Sequence, residues 1–99
     1  MKDLFERFDK LFESRIRLAV MSLLVLNDEL DFASLKEQLH LSDGNLASHV
    51  ATLERSGYVR VRKEFVKRTP RTTYSATRTG RKAFADHLDL LERFVKQNA

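Results

Sequence analysis

The apolar residues of this chain keep a helical period from Leu4 to Ser56 and again from Thr77 onward, and abandon it only between Tyr58 and Ala76. That interruption constrains the fold most, because one face of a helix repeats about every 3.6 residues and one face of a strand every two. Tyr58-Val59-Arg60-Val61-Arg62-Lys63-Glu64-Phe65 alternates early and is rich in β-formers. Val66 to Pro70 contains the only proline and is expected as a loop, and Arg71 to Ala76 as a second strand. The chain should therefore be mainly α with one β-hairpin, an α+β fold whose hairpin tip spans about five residues.

The helical part divides further. Leu4, Phe5, Phe8, Leu11 and Phe12 recur at spacings of three and four and predict a first helix, with a break near Ser14. A second helix over Arg15 to Leu26 turns Ile16, Ala19, Val20, Leu23 and Leu24 to the core. Leu30-Asp31-Phe32 suits a short extended piece, followed by a short helix over Ala33 to Leu39 and a turn at His40-Leu41. Ser42 is a good N-cap for the next helix, with Asp43 behind it, and Gly57 a good C′ glycine at its end. Thr77 or Thr79 caps a last helix to about Gln97, which bears two stripes, Phe84/Leu88/Leu91/Val95 and Ala83/His87/Leu90/Phe94.

At 99 residues this is one domain, 1–99. Without cysteine it has no disulfide, thiolate zinc site or cysteine nucleophile. His40, His49 and His87 lack the i, i+4 pairing of metal ligands. Neither GxGxxG nor GxxxxGK[ST] occurs, nor a nucleophile elbow, so no enzyme, cofactor or metal is expected. The N-terminus lacks the apolar run of a signal peptide and no stretch reaches the roughly 18 residues of a membrane span, so a cytoplasmic protein is expected. Charge is the positive signal. Residues 60–82 carry nine Lys/Arg and one acid, Glu64, a +8 segment in a chain that otherwise sums to −4. Such a concentration suggests a polyanionic partner.

The helix after Ser42 suggests which one. Leu46, Val50 and Leu53 form its core stripe, and the opposite side carries Asn45, Ser48, His49 and Thr52 without a lysine or glutamate among them. Short neutral donors and acceptors suit base edges in a major groove, where an ordinary solvent face would carry long charges. Ser42 and Gly44 stand at the helix N-terminus, which favours phosphate. Lys63, Lys67, Arg68 and Arg71 lie near the tip and flanks of the hairpin, for phosphate contact; Arg68 or Arg71 could instead enter a narrow minor groove.

Two short helices joined by a tight turn and followed by a basic hairpin describe a winged helix-turn-helix. The run RLAVMSLLVLNDELDFASLKEQLHLSDGNLASHVATLERSGYVRVRKEF, with RTTYSATRTGRKAF after it, resembles the small stand-alone winged-helix regulators near the MarR and ArsR groups. The resemblance covers about Arg15 to Leu91 and is most specific in LSDGNLASHVATLERSGYV and RTTYSATRTG; Ala76 departs from it where relatives tend to carry leucine. It implies a transcriptional regulator that binds operator DNA as a dimer, with Asn45, Ser48, His49 and Thr52 at recognition-helix positions that Asp43 and Gly44 open.

The terminal segments, about 1–13 and 78–97, carry more apolar surface than a soluble monomer usually exposes. A homodimer through Leu4, Phe5, Phe8, Phe12, His87, Leu90, Leu91 and Phe94 would cover it; the competing arrangement folds the first helix back onto the last in one chain. Two other functions compete with this one. A protein-docking winged helix that never touches DNA would expose an apolar recognition face, and RNA binding would favour exposed aromatics, of which Phe65 alone stands near the tip. Phe5, Phe8, Phe12, Phe84 and Phe94 could line a pocket for a small-molecule effector, but at helical spacing they suit core or subunit interface better.

Overall fold

In the computed structural model, which describes residues 2–98, the chain runs α1 (Lys2–Glu6), a 3₁₀ turn (Lys10–Glu13), α2 (Arg15–Leu26), β1 (Leu30–Asp31), α3 (Phe32–Leu39), α4 (Asp43–Arg55), β2 (Val59–Val66), β3 (Thr69–Ala76) and α5 (Arg78–Asn98). Ser14 starts α2, its hydroxyl accepting the Arg17 N–H at 3.2 Å. This helix buries Val20, Met21 and Leu24. They pack in one cluster with Leu35 of α3, Leu46, Val50 and Leu53 of α4, Val59, Tyr74 and Phe84. The stripe expected beneath α4 is thus the one that is buried. Arg81 of α5 donates to the Val25 and Leu24 carbonyls at 3.1 and 3.4 Å, meeting acceptors that the end of α2 leaves unpaired.

The two helices of the turn are capped by their own sequence. The Asp31 carboxylate accepts the Ser34 N–H at 2.7 Å at the start of α3, and the Ser42 hydroxyl accepts the Asn45 N–H at 3.2 Å at the start of α4. Between them His40 closes α3 in the left-handed region, at φ 53°. After α4, Gly57 takes φ 79°, the Tyr58 N–H reaches the Leu53 carbonyl and the Gly57 N–H reaches that of Glu54. That pair of bonds is the Schellman arrangement. It reverses the chain into β2.

The sheet order is β1-β3-β2, all antiparallel, with Leu30 opposite Tyr74 and Val59 opposite Ala76. Its hairpin corrects one expectation. The tip is two residues, Lys67 and Arg68, rather than about five, and Thr69 and Pro70 belong to β3. Both tip residues have positive φ, 50° and 67°, as a tight primed turn requires. Val66 and Thr69 close that turn, so the ladder's alternation puts Pro70, opposite Phe65, at a pair that needs no N–H toward β2. β1 ends well short of it, so the missing donor leaves nothing unpaired on the other side either.

The N-terminus corrects another. Leu4 to Phe12 do not share one helix: α1 stops at Glu6 and the 3₁₀ turn follows. Asp9 makes the break, accepting both the Leu11 N–H at 2.9 Å and the Tyr58 hydroxyl at 2.5 Å. Burial first, then that carboxylate, push the Tyr58 phenol up to about 12, so it stays a donor at neutral pH.

Candidate nucleic-acid interface

The core stripe and caps of α4 leave its other side turned outward. Asn45 and Ser48 are exposed, and His49 and Thr52 are half-buried. Their freedom differs. The Thr52 hydroxyl donates to the Ser48 carbonyl and accepts from Arg55 Nη2, both at 3.2 Å. His49 Nδ1 lies 3.1 Å from Nη1 of Arg17. Among the described residues no hydrogen bond within the protein engages the side chain of Asn45 or of Ser48, although their backbone groups meet the Ser42 and Thr52 hydroxyls. A Cβ at Gly44 would meet nothing within 4 Å, so packing inside the chain does not require glycine there. Asp43 is paired with Lys36 of α3 at 2.8 Å, which balances its charge at the helix N-terminus.

The basic segment separates into engaged and unengaged cations. Arg71 stands on the flank of the hairpin, opposite Glu64, and pairs with Asp31 at 3.3 Å. Arg62 pairs with Glu29 and Glu64, Lys82 with Asp86, and Arg81 serves α2. Arg60, Lys63, Lys67 and Arg68 have no acidic partner among the described residues, and all four are exposed. Lys63 borders a cleft of about 400 Å³ between hairpin and α4, shared with Ala47, Ala51, Glu54 and Tyr74. Burial, then the nearby Glu54, raise the Tyr74 phenol. Phe65, opposite Pro70, is 76% exposed beside the cationic tip.

The sequence expectations left out Arg17 and Arg55, the cations that touch the outward side of α4 among the described residues. Arg17 carried a signal, since it lies inside the otherwise apolar opening of α2, Ile16 to Val20. Arg55 stands three residues after Thr52, the spacing of neighbours on a helix.

The residues expected at a subunit interface divide. Leu4, Phe12, His87 and Leu90 are buried within the chain. Phe8 lies half-buried, edge-on to His87 at 5.6 Å and Phe94 at 5.5 Å. α1 is therefore folded back on α5. Phe5 and Leu91 remain exposed, together with Leu88 and Val95. Among the described residues no cluster of His, Asp or Glu could hold a metal ion, and no helix is long and apolar enough to cross a membrane.

Residues 16–95 match a family model described as a winged helix DNA-binding domain. The uncharacterized protein MJ0432 of Methanocaldococcus jannaschii is 37% identical over 79 residues, covering 80% of this chain and 86% of that protein. A solved structure titled as a transcriptional regulator homologue from Pyrococcus horikoshii OT3 superposes with a TM-score of 0.86 at 28% identity, covering 97% of this chain and 93% of that one. The putative transcriptional regulator ytfH from Salmonella typhimurium shares the fold at a TM-score of 0.73 and 22% identity, covering 90% and 78% of the two chains.

Proposed function

The chain belongs to the winged helix DNA-binding domain family, and from that membership we propose that it is a sequence-specific transcriptional regulator of double-stranded DNA. One observation carries the reading: α4 exposes short uncharged polar side chains, and the hairpin beside it projects cations that no acid among the described residues pairs with. α4 lies in the major groove with Asn45, Ser48, His49 and Thr52 toward base edges. Asn45 suits a bidentate contact with adenine, and the Thr52 methyl a thymine methyl. Ser42 and Gly44 bring the helix N-terminus to a phosphate. The wing supplies affinity through Lys63, Lys67 and Arg68, with Arg71 released to the backbone only if it leaves Asp31.

The working unit is a homodimer paired through the terminal helices. Phe5, Leu88, Leu91 and Val95 of the terminal helices are left exposed by one chain, and they pair across the two-fold axis, backed by Leu4, Phe8, Phe12, His87, Leu90 and Phe94. Two copies then read half-sites about 34 Å apart, one helical turn, or a multiple of that spacing.

Selection from a pool of random duplexes tests the reading. Enrichment of a palindromic site, with weaker retention of RNA of the same sequence, supports it. Equal retention of every duplex, or a preference for RNA, sinks it. A protein-docking role would instead leave all nucleic acid unbound.

A further inference from the structure

One residue of the recognition stripe is held by another element. Arg17, in the first turn of α2, donates from Nε to the Leu11 carbonyl at 2.7 Å and reaches His49 Nδ1 from Nη1 at 3.1 Å. The first bond ties the guanidinium to the 3₁₀ turn and aims its remaining donors at α4. A guanidinium has donors and no acceptor. The ring nitrogen that meets it must therefore carry the lone pair, and in neutral imidazole the proton then sits on Nε2. No other protein group among the described residues bonds this ring, so Nε2 is the edge left for an outside partner.

We infer that Arg17 is a positioning residue: it locks His49 in the Nε2–H tautomer, so that α4 presents a donor at this position. The acceptors of a major groove are guanine O6 and N7, adenine N7 and thymine O4, whereas the amino groups of cytosine and adenine would face the imidazole donor to donor. The base met by His49 is then one that offers an acceptor, guanine, thymine or adenine at N7, and not cytosine. A histidine without the guanidinium is free to turn its ring or move its proton, offers either a donor or a lone pair, and discriminates less. This inference rests on the proposed DNA reading and names one position of it.

Two measurements test it. Long-range ¹⁵N–¹H spectra of the histidine rings in the free protein at pH 8, with His49→Ala for assignment, report the tautomer without DNA. The expected pattern is Nε2–H for His49, becoming a mixture in Arg17→Gln, where the amide can still donate to the Leu11 carbonyl. An Nδ1–H pattern in the unaltered protein overturns the lock. Duplex selection is then run on both proteins. Arg17→Gln should lose about ten-fold in preference at one base pair of each half-site, with random-duplex affinity and its salt slope unchanged. A slope that drops by about one makes Arg17 a phosphate contact instead. Equal weakening of all sequences by His49→Ala would put Nε2–H on the backbone and overturn the base assignment. If the unaltered protein enriches no duplex, the regulator reading fails and takes the base assignment with it, while the spectra still decide the lock.

Discussion

α4 and the wing tip are built on opposite terms. α4 has three buried side chains beneath it, a serine cap at one end, a glycine reversal at the other, and short polar residues on its outer side. In the hairpin nothing from Arg60 to Thr72 is buried. Its turn places Lys67 and Arg68 in the left-handed region, where a residue other than glycine costs roughly 1–2 kcal/mol. Asn-Gly would make the same turn more cheaply. On the proposed reading the difference matches two tasks. Base reading needs atoms fixed to within fractions of an ångström, which burial supplies. Phosphate contact needs charge and reach, and tolerates a tip that stabilises nothing.

If that contrast holds, stability and binding should respond to different residues. The largest effect belongs to the core under α4. Leu53→Ala should cost about 2–5 kcal/mol, since it empties a fully buried site. In a domain of this size each kcal/mol lowers Tm by about 4–8 °C. A thermal melt within a degree or two of the original would mean that α4 is not anchored by that stripe.

Next comes the separation of specificity from affinity. Asn45→Ala should weaken a selected site by about 1–3 kcal/mol and leave random DNA nearly unchanged. Lys67→Ala with Arg68→Ala should weaken both alike and lower the slope of log K against log salt by about two. Titrations of both duplexes at several salt concentrations decide. A wing variant that keeps its slope, or an Asn45 variant that loses all sequences equally, breaks the division.

How far these regions could be read in advance differs as well. The elements of the helix-turn-helix were legible from local signals: Ser42, Gly57 and the Leu46/Val50/Leu53 spacing each dictate a feature within a few residues of themselves. The tip was not. The lone proline marks Val66 to Pro70 as a loop, but whether the donor it lacks is needed depends on which neighbour β3 has at that level, and β1 covers only Thr73 and Tyr74. The break in the first helix was equally hidden, since Asp9 is fixed by Tyr58, 49 residues away. The Arg17–His49 contact has the same character. Spacing along α2 and along α4 gives each residue its face, and only the crossing of the two helices makes them neighbours.

A smaller effect isolates the strain at the tip. Arg68→Gly relieves one left-handed residue and should stabilise the protein by about 1 kcal/mol, while removing one phosphate contact. Tm should rise as DNA affinity falls, with the salt slope reduced by about one. The two signs together are diagnostic. A fall in both would mean that the Arg68 side chain stabilises the hairpin itself, and that the tip is part of the fold.

The smallest effect lies at the seam between the two regions. Asp31 caps α3 and also holds Arg71 of β3. The Ser34 N–H first, then the Ser34 side chain and Arg71, hold its carboxyl below the ordinary 3.8. A carboxyl whose value is lower in the folded state contributes stability that is fully present above the unfolded value and is lost as the pH falls through the folded one. Here that window opens below about pH 3.8. Asparagine caps a helix about as well as aspartate, so Asp31→Asn keeps α3 while removing the charge. Urea midpoints taken from pH 5 downward should fall less steeply below pH 3.8 in the variant than in the original. At neutral pH the same change frees Arg71, and the salt slope of DNA binding should steepen by up to one. Superimposable acid limbs would mean that Asp31 couples nothing. An unchanged slope beside a flattened acid limb would mean that Arg71, once released, still does not reach the backbone, and the wing's affinity would then rest on Lys63, Lys67 and Arg68 alone.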